Sequence, residues 1–162
     1  MEIRKATEAD IPAVTAIYDA LLDREEQGLL TTGWTRGVYP TEQTARDSLA
    51  AGTLYVLEDG GVKAECVVTD EGDGILEIKN IAVMPDHQRA GYGKALIDFL
   101  VRQYTGHYAL LQVGTGDSPL TVPFYEKCGF VRSHRVENFF TDNYDHPIYE
   151  GGVQLSLIHI SE

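Results

Sequence analysis

The amino-acid sequence predicts an α/β fold in which helices cover a mixed β-sheet. Three observations carry that expectation. Residues at helical spacing, such as Ile11, Val14, Ile17, Tyr18 and Leu21, form apolar stripes that alternate along the chain with short strand-like runs. Three of those runs, 54–57, 62–69 and 75–84, follow one another across glycine-containing turns, the pattern of an antiparallel meander. The run 107–113 is apolar almost throughout, as expected of a strand buried on both faces.

The elements follow in order. Residues 2–6 read as a first strand and 10–23 as a helix, which Thr7 or Asp10 can cap and in which Pro12 is tolerable only in the first turn. The stretch 24–40 is irregular and holds Gly28, Gly33, Trp34, Gly37 and Tyr39; a loop of that length in a small domain is usually functional or mobile. A second helix starts at Thr41 and stops at Gly52. The meander turns first about Asp59-Gly60-Gly61 and then more loosely over 70–74. A third helix buries Leu96, Phe99, Leu100 and Tyr104 and ends at Gly106. Ser118-Pro119 has the form of an N-cap and first helical residue for a helix to about Cys128, which Pro123 distorts or delays. Strands are expected over 130–136 and from Tyr149 onward, and no repeat or linker interrupts the chain.

At 162 residues the chain suits one domain, and 43% apolar with 23% charged residues is the balance of a chain that folds to a core. No segment reaches the roughly 18 to 20 uninterrupted apolar residues of a membrane span, and Met1-Glu2-Ile3-Arg4-Lys5 leads into no signal-peptide core, so a cytoplasmic location is expected. Cys66 and Cys128 form no CxxC pair and have no nearby histidine pattern; neither a disulfide framework nor a metal site is expected. A formal net charge of −12 argues against nucleic acid or an anionic membrane as partner and favours cationic ligands, although it also serves solubility.

The most informative stretch is Gln88-Arg89-Ala90-Gly91-Tyr92-Gly93, where an apolar strand turns into an amphipathic helix. Glycines there let the backbone approach a ligand, and the new helix aims free N–H groups and its positive end at it, so the turn can cradle a phosphate or pyrophosphate. A purely structural use of the same glycines stays open. Gly93-Lys94 is followed by Ala95, so this is not a P-loop, and a first position of Gln88 fits a dinucleotide fingerprint poorly.

With Phe124-Tyr125-Glu126-Lys127-Cys128-Gly129-Phe130 further on, the sequence closely resembles the GNAT (Gcn5-related) N-acetyltransferases. In that family Q/R-x-x-G-x-G/A follows the fourth strand and F-Y-x-x-x-G-F lies near the C-terminal end. The resemblance spans essentially the whole chain. It implies an acyl-CoA N-acyltransferase fold: a central mixed sheet of about six to seven strands with about four helices, strands 4 and 5 splayed to admit a pantetheine arm. It also implies acetyl-CoA as the acyl donor and no metal. Cofactor contacts then fall on Ile81, Ala82 and Val83 beside the splay, on Gln88, Arg89, Ala90, Gly91, Tyr92, Gly93 and Lys94 at the turn, and on Ser118. The family often has Asn in the helix before its Tyr, where this chain has Ser118 and Thr121.

By the same resemblance Tyr125 is the candidate acid beside the CoA sulfur, with packing of its ring as the rival role. Glu77 is the candidate base, and strand alternation would put it on the face of Lys79, Ile81 and Val83; a solvated edge charge is its rival role. Acceptor contacts are expected from 24–40 and 138–150, with Trp34, Tyr39, Phe140 and Tyr144 as candidates. The function implied is direct transfer of an acetyl group to a primary amine of a small molecule in a ternary complex. A non-catalytic acyl-CoA-binding or regulatory domain and a peptide or protein N-acetyltransferase are the other readings, and a homodimer is compatible with each. Leu155–Glu162 has the residue order of a translated transposon-type sequencing-library adapter, so the expected domain is 1–155 with 156–162 as an adapter-derived tail.

Overall fold

The structure, a computed structural model, describes residues 1–29, 34–116, 121–136 and 152–158. Its elements are β1 (Glu2–Lys5), α1 (Ile11–Glu26), α2 (Glu42–Ala50), β2 (Leu54–Glu58), β3 (Val62–Gly72), β4 (Ile75–Val83), α3 (Tyr92–Tyr104), β5 (Leu110–Gly116), α4 (Thr121–Lys127), β6 (Val131–Val136) and β7 (Gly152–Ile158), with short 3-10 segments at Glu8–Asp10 and Pro85–Ala90. The strands form one sheet in the order β1-β2-β3-β4-β5-β7-β6. β4 and β5 run parallel and every other neighbouring pair is antiparallel, so the sheet is mixed as the sequence predicts. β7 lies between β5 and β6 and crosses the 155 boundary drawn from the sequence.

Two apolar cores cover the two faces. On one, Leu96, Ile97 and Leu100 of α3 and Val122 and Tyr125 of α4 pack on Cys66, Val68, Leu76, Ile78, Leu111 and Val113. On the other, Ile11, Val14, Ile17, Tyr18 and Leu21 of α1 and Ala45 of α2 pack on Leu54, Val56, Val67 and Ala82. β5 starts at Leu110 rather than 107 because the preceding backbone closes turns: His107 N–H donates to the Tyr104 carbonyl at 3.0 Å and Ala109 N–H to that of Gly74 at 2.9 Å. Pro123 is the third residue of α4, where a helix needs no N–H.

Alternation along β4 is broken once. Val67 of β3 pairs with Asn80 and Val68 with Ile78, which leaves Lys79 as an extra residue and makes a β-bulge. Leu76 and Ile78 before the bulge, and Ile81 and Val83 after it, belong to the α3/α4 face, whereas Ala82 belongs to the α1/α2 face. Glu77, opposite Thr69, therefore shares its face with Asn80 and Ala82. This corrects the grouping of Glu77 with Ile81 and Val83, which assumed an unbroken period of two.

The entry to α1 is fixed by Asp10, whose carboxylate accepts hydrogen bonds from Arg4 at 2.8 and 3.0 Å and from the Thr7 N–H at 2.7 Å. The Arg4 guanidinium first, and the Thr7 N–H after it, hold the Asp10 carboxyl below the usual carboxylate range. Stability drawn from a lowered carboxyl pKa is present above the unfolded value and is lost as pH falls through the folded one. Asp10→Ala should therefore cost about 2 kcal/mol at neutral pH, and urea unfolding of both proteins should show that cost shrinking as the solution is acidified.

Candidate active site

Pairing between β4 and β5 begins at Ile75↔Leu110 and ends at Ile78↔Val113. Beyond that point β4 continues to Val83 beside β3, and β5 continues to Gly116 beside β7, so the two strands part. Ile81, Ala82 and Val83 lie on the parted edge of β4, where sequence reasoning placed them. The Gln88 amide donates to the Val83 carbonyl at 3.4 Å and so ties the turn to the end of that edge.

The turn itself winds through the 3-10 segment Pro85–Ala90 to Gly91, which has φ 82° and ψ 14° and N-caps α3 without any side-chain cap bond. Among the described residues no side chain accepts from the first-turn N–H groups of α3, which sit at the positive end of the helix. A Cβ on Gly91 would meet nothing within 4 Å, so that side of the turn is open. Those two properties fit an anionic phosphate group. Gly93 has a different reason: its Cβ would lie 2.9 Å from Cζ and 3.2 Å from Cε1 of Phe124. Its role in this structure is close packing of α3 on α4. The Lys94 ammonium pairs with Asp98 at 2.9 Å, and the Tyr92 hydroxyl donates to Asp59 at 2.7 Å. What these two residues can offer at the turn is backbone N–H. Arg89 and Ala90 complete the 3-10 segment; the side chain of Arg89 lies outside the described residues.

On the α1/α2 face a cleft of about 630 Å³ runs between α2 and the parting strands, lined by Tyr39, Ser48, Glu77, Lys79, Asn80 and Gly114 among others. Glu77 stands at the last paired part of β4 and β5. One carboxylate oxygen accepts from Gln112 of β5 at 2.7 Å and the other meets the Lys79 ammonium at 2.5 Å. These two contacts fix its orientation and leave its side chain 15% exposed.

Tyr125 stands in the other core, 5% exposed, with its ring edge-on to Phe124 and Phe130. Burial pushes its phenol well above the ordinary tyrosine range, so it keeps its proton. The structure therefore sets Tyr125 and Glu77 on opposite faces of the sheet, with the gap between β4 and β5 separating them. Trp34 packs edge-on against Tyr18 and Tyr39, at 6.2 Å from each, and buttresses Tyr39 from behind the cleft. Ser118, Phe140 and Tyr144 lie outside the described residues.

Sequence reasoning missed two residues beside the cleft. Glu65 of β3 is fully buried, and both of its carboxyl oxygens, at 2.7 and 3.0 Å, face the amide of Asn80 on β4. The other end of that amide lies 2.9 Å from the Tyr39 hydroxyl. Burial pushes the Glu65 carboxyl well above the usual range. Neither stands out in the sequence, because Lys63 and Lys79 are polar neighbours within the same strand runs and nothing local marks Glu65 or Asn80 as the buried one.

Residues 50–132 match the family model described as an acetyltransferase (GNAT) domain, which covers the meander, the glycine turn, α3, β5 and α4. The chain belongs to the GNAT acetyltransferase family. A curated relative, the uncharacterized N-acetyltransferase YvbK of Bacillus subtilis (strain 168), is 36% identical over 81 residues, which are 49% of this chain and 52% of the relative. The chain thus spans about half the length of that relative. Among solved structures, the ribosomal-protein-S18-alanine N-acetyltransferase of Escherichia coli shares the fold with a TM-score of 0.72 at 21% identity, covering 98% of this chain and 93% of that one. A GNAT family acetyltransferase from Elizabethkingia anophelis, solved with acetyl-CoA bound, has a TM-score of 0.70 at 26% identity, covering 97% of both chains.

The contrast between the two glycines is testable. Gly93→Ala should lower stability by about 1–3 kcal/mol through overpacking against Phe124. Phe124→Leu in the same chain should recover part of that loss, as read from thermal unfolding of the single and double variants.

Proposed function

We propose that this GNAT protein transfers an acetyl group from acetyl-CoA to a primary amine of a small molecule, directly and within a ternary complex. The observation that carries the reading is the parting of β4 and β5, which lies between an uncapped helix N-terminus and a cleft holding an oriented carboxylate. Family membership and the acetyl-CoA bound to the Elizabethkingia anophelis relative support the choice of donor.

Bound at this site, acetyl-CoA supplies an activated acetyl thioester. The N–H groups of Tyr92, Gly93 and Lys94 would hold its pyrophosphate, with Gly91 leaving room for close approach. The backbone at Ile81, Ala82 and Val83 would hydrogen-bond the pantetheine arm and align it along β4. On the cleft side Glu77 takes a proton from the incoming amine, directly or through a water, so that nitrogen can attack the acetyl carbon. Tyr125, neutral because it is buried, donates its proton to the departing sulfur. An amine that arrives as a cation gives up two protons in becoming an amide, one before attack and one after it, and the departing thiol gains one from Tyr125, so each turnover releases one proton to solvent once Glu77 and Tyr125 are restored. Carboxylates at Glu77 and Asp47 suit a cleft that accepts a cationic amine.

Calorimetric titration tests the donor site first. Acetyl-CoA and CoA should bind at roughly micromolar Kd while ATP and NAD do not, and Gly91→Val should weaken the binding about tenfold or more. Absence of CoA-selective binding, or unaltered affinity in the variant, would overturn the cradle assignment. Tyr125→Phe should lower turnover about tenfold or more with acetyl-CoA affinity almost unchanged, measured as thiol release with the best amine of a panel. Unchanged turnover would remove Tyr125 from the mechanism.

A further inference from the structure

The mechanism above makes no use of Glu65, although burying a carboxyl completely in a strand interior is costly. The groups that face it come from several elements. Tyr18 approaches from α1, and Asn80 and Ala82 lie alongside on β4. Val56 is opposite on β2, Cys66 follows on its own strand, and Tyr125 of α4 and Tyr39 of the segment before α2 stand beyond them. None of these carries a positive charge. The Tyr18 hydroxyl is buried without a well-aligned hydrogen bond, although it lies near enough to Glu65 to influence the carboxyl. Asn80 has the shortest polar contacts with Glu65 and also lines the cleft, so it joins that acid to the cleft wall; Tyr18 stands beside Glu65, Asn80 and Tyr39 as well.

An amide has one end that only accepts and one that only donates. If Glu65 carries a proton, its O–H donates to the Asn80 Oδ1 and the Asn80 Nδ2 donates to the Tyr39 oxygen at 2.9 Å. If Glu65 is ionised, the Asn80 Nδ2 must turn toward the carboxylate oxygens at 2.7 and 3.0 Å, and Oδ1 then accepts from the Tyr39 O–H. The heavy atoms lie near the same positions in both states, but a neutral carboxyl has one O–H to give, so in the first its second oxygen must draw back from the Asn80 Oδ1. The states otherwise differ in where one proton sits and which way one amide points.

We propose that Glu65 is a positioning residue for the cleft: its proton sets the orientation of Asn80, and Asn80 in turn sets whether the Tyr39 hydroxyl receives or gives a hydrogen bond at the cleft wall. Tyr39 then offers a different hydrogen-bond pattern to the cleft in each state. That this governs the choice of acceptor rests on the reading of the cleft as the amine site; the relay itself does not. Burial, with no cationic neighbour among the described residues, favours the neutral acid and moves the reversal toward higher pH than an exposed glutamate would give.

Side-chain NMR of the full chain in the absence of any ligand tests the relay separately from catalysis. The Glu65 carboxyl carbon, the Asn80 side-chain amide and the Tyr39 ring carbon bearing the hydroxyl should shift with one common midpoint, above the ordinary carboxylate range. Glu65→Gln should abolish the transition, and Asn80→Ala should stop Tyr39 from following Glu65. Asn80 and Tyr39 signals that stay constant while Glu65 titrates would overturn the proposal. So would a Glu65 that holds its proton until the protein unfolds, because the relay would then have one position. The measurement on the unsubstituted protein decides the matter even if a variant fails to fold.

Discussion

One extra residue in β4 organises the cleft side of this protein. Without the bulge at Lys79, strict alternation would send Glu77 and Asn80 to opposite faces of the sheet. With it, the carboxylate and the amide look the same way, three positions apart in sequence, and both line the cleft under α2. The extra residue is not idle, since the Lys79 ammonium comes back to Glu77 and helps fix the carboxylate it displaced. The bulge follows directly after Ile78, the last residue of β4 paired with β5. A strand that twists more sharply at a bulge leaves its neighbour more easily, so one irregularity accounts for the shared face and is consistent with the parting of the strands.

The glycine turn shows how one motif can hold two unrelated constraints. Gly91 answers to its own backbone, because φ 82° is a conformation most side chains resist, and its outer side is open. Gly93 answers to a residue far along the chain, the ring of Phe124, which comes too close for any Cβ to fit unmoved. The two signature motifs of the family are therefore in physical contact, glycine against phenylalanine. That contact seats the N-terminus of α3 against α4, so the open turn at Gly91 and Tyr125 are positioned by the same packing.

Legibility in the sequence followed the range of the cause. The meander, the stripe of α1, the stop at Gly106 and the open turn at Gly91 depend on residues within one element or its flanks, and each was readable there. The mixed sheet followed from the order of strands and helices along the chain. The bulge was not readable, because period two is an assumption about pairing and pairing belongs to two strands at once. The burial of Glu65 was unreadable for the same reason: its partners Tyr18, Tyr39 and Asn80 come from three other segments. The face assigned to Glu77 failed with the bulge, whereas its placement beside the parting strands did not depend on alternation.

Charge poses the last constraint. On the proposed function a chain with a formal net charge of −12 has to bind a polyanionic donor, and local cations are the obvious compensation. Lys94, however, is paired with Asp98 one helical turn on, and Arg24 with Asp86 at the start of the 3-10 segment. Of the cations described near the turn these two are thus engaged, and the proposed anion site would draw on backbone N–H groups, whose partial charges are fixed in place by the helix and need no side chain to be ordered. Such a cradle is short-ranged: it rewards a phosphate at contact and attracts nothing from a distance. The acidic surface around it does the opposite, drawing cations from afar without fixing their geometry. In the ternary complex proposed above, the two ligands would be separated by the physics of their recognition, the anion held by oriented dipoles at the end of α3 and the amine guided by net charge toward the cleft that Glu77 lines.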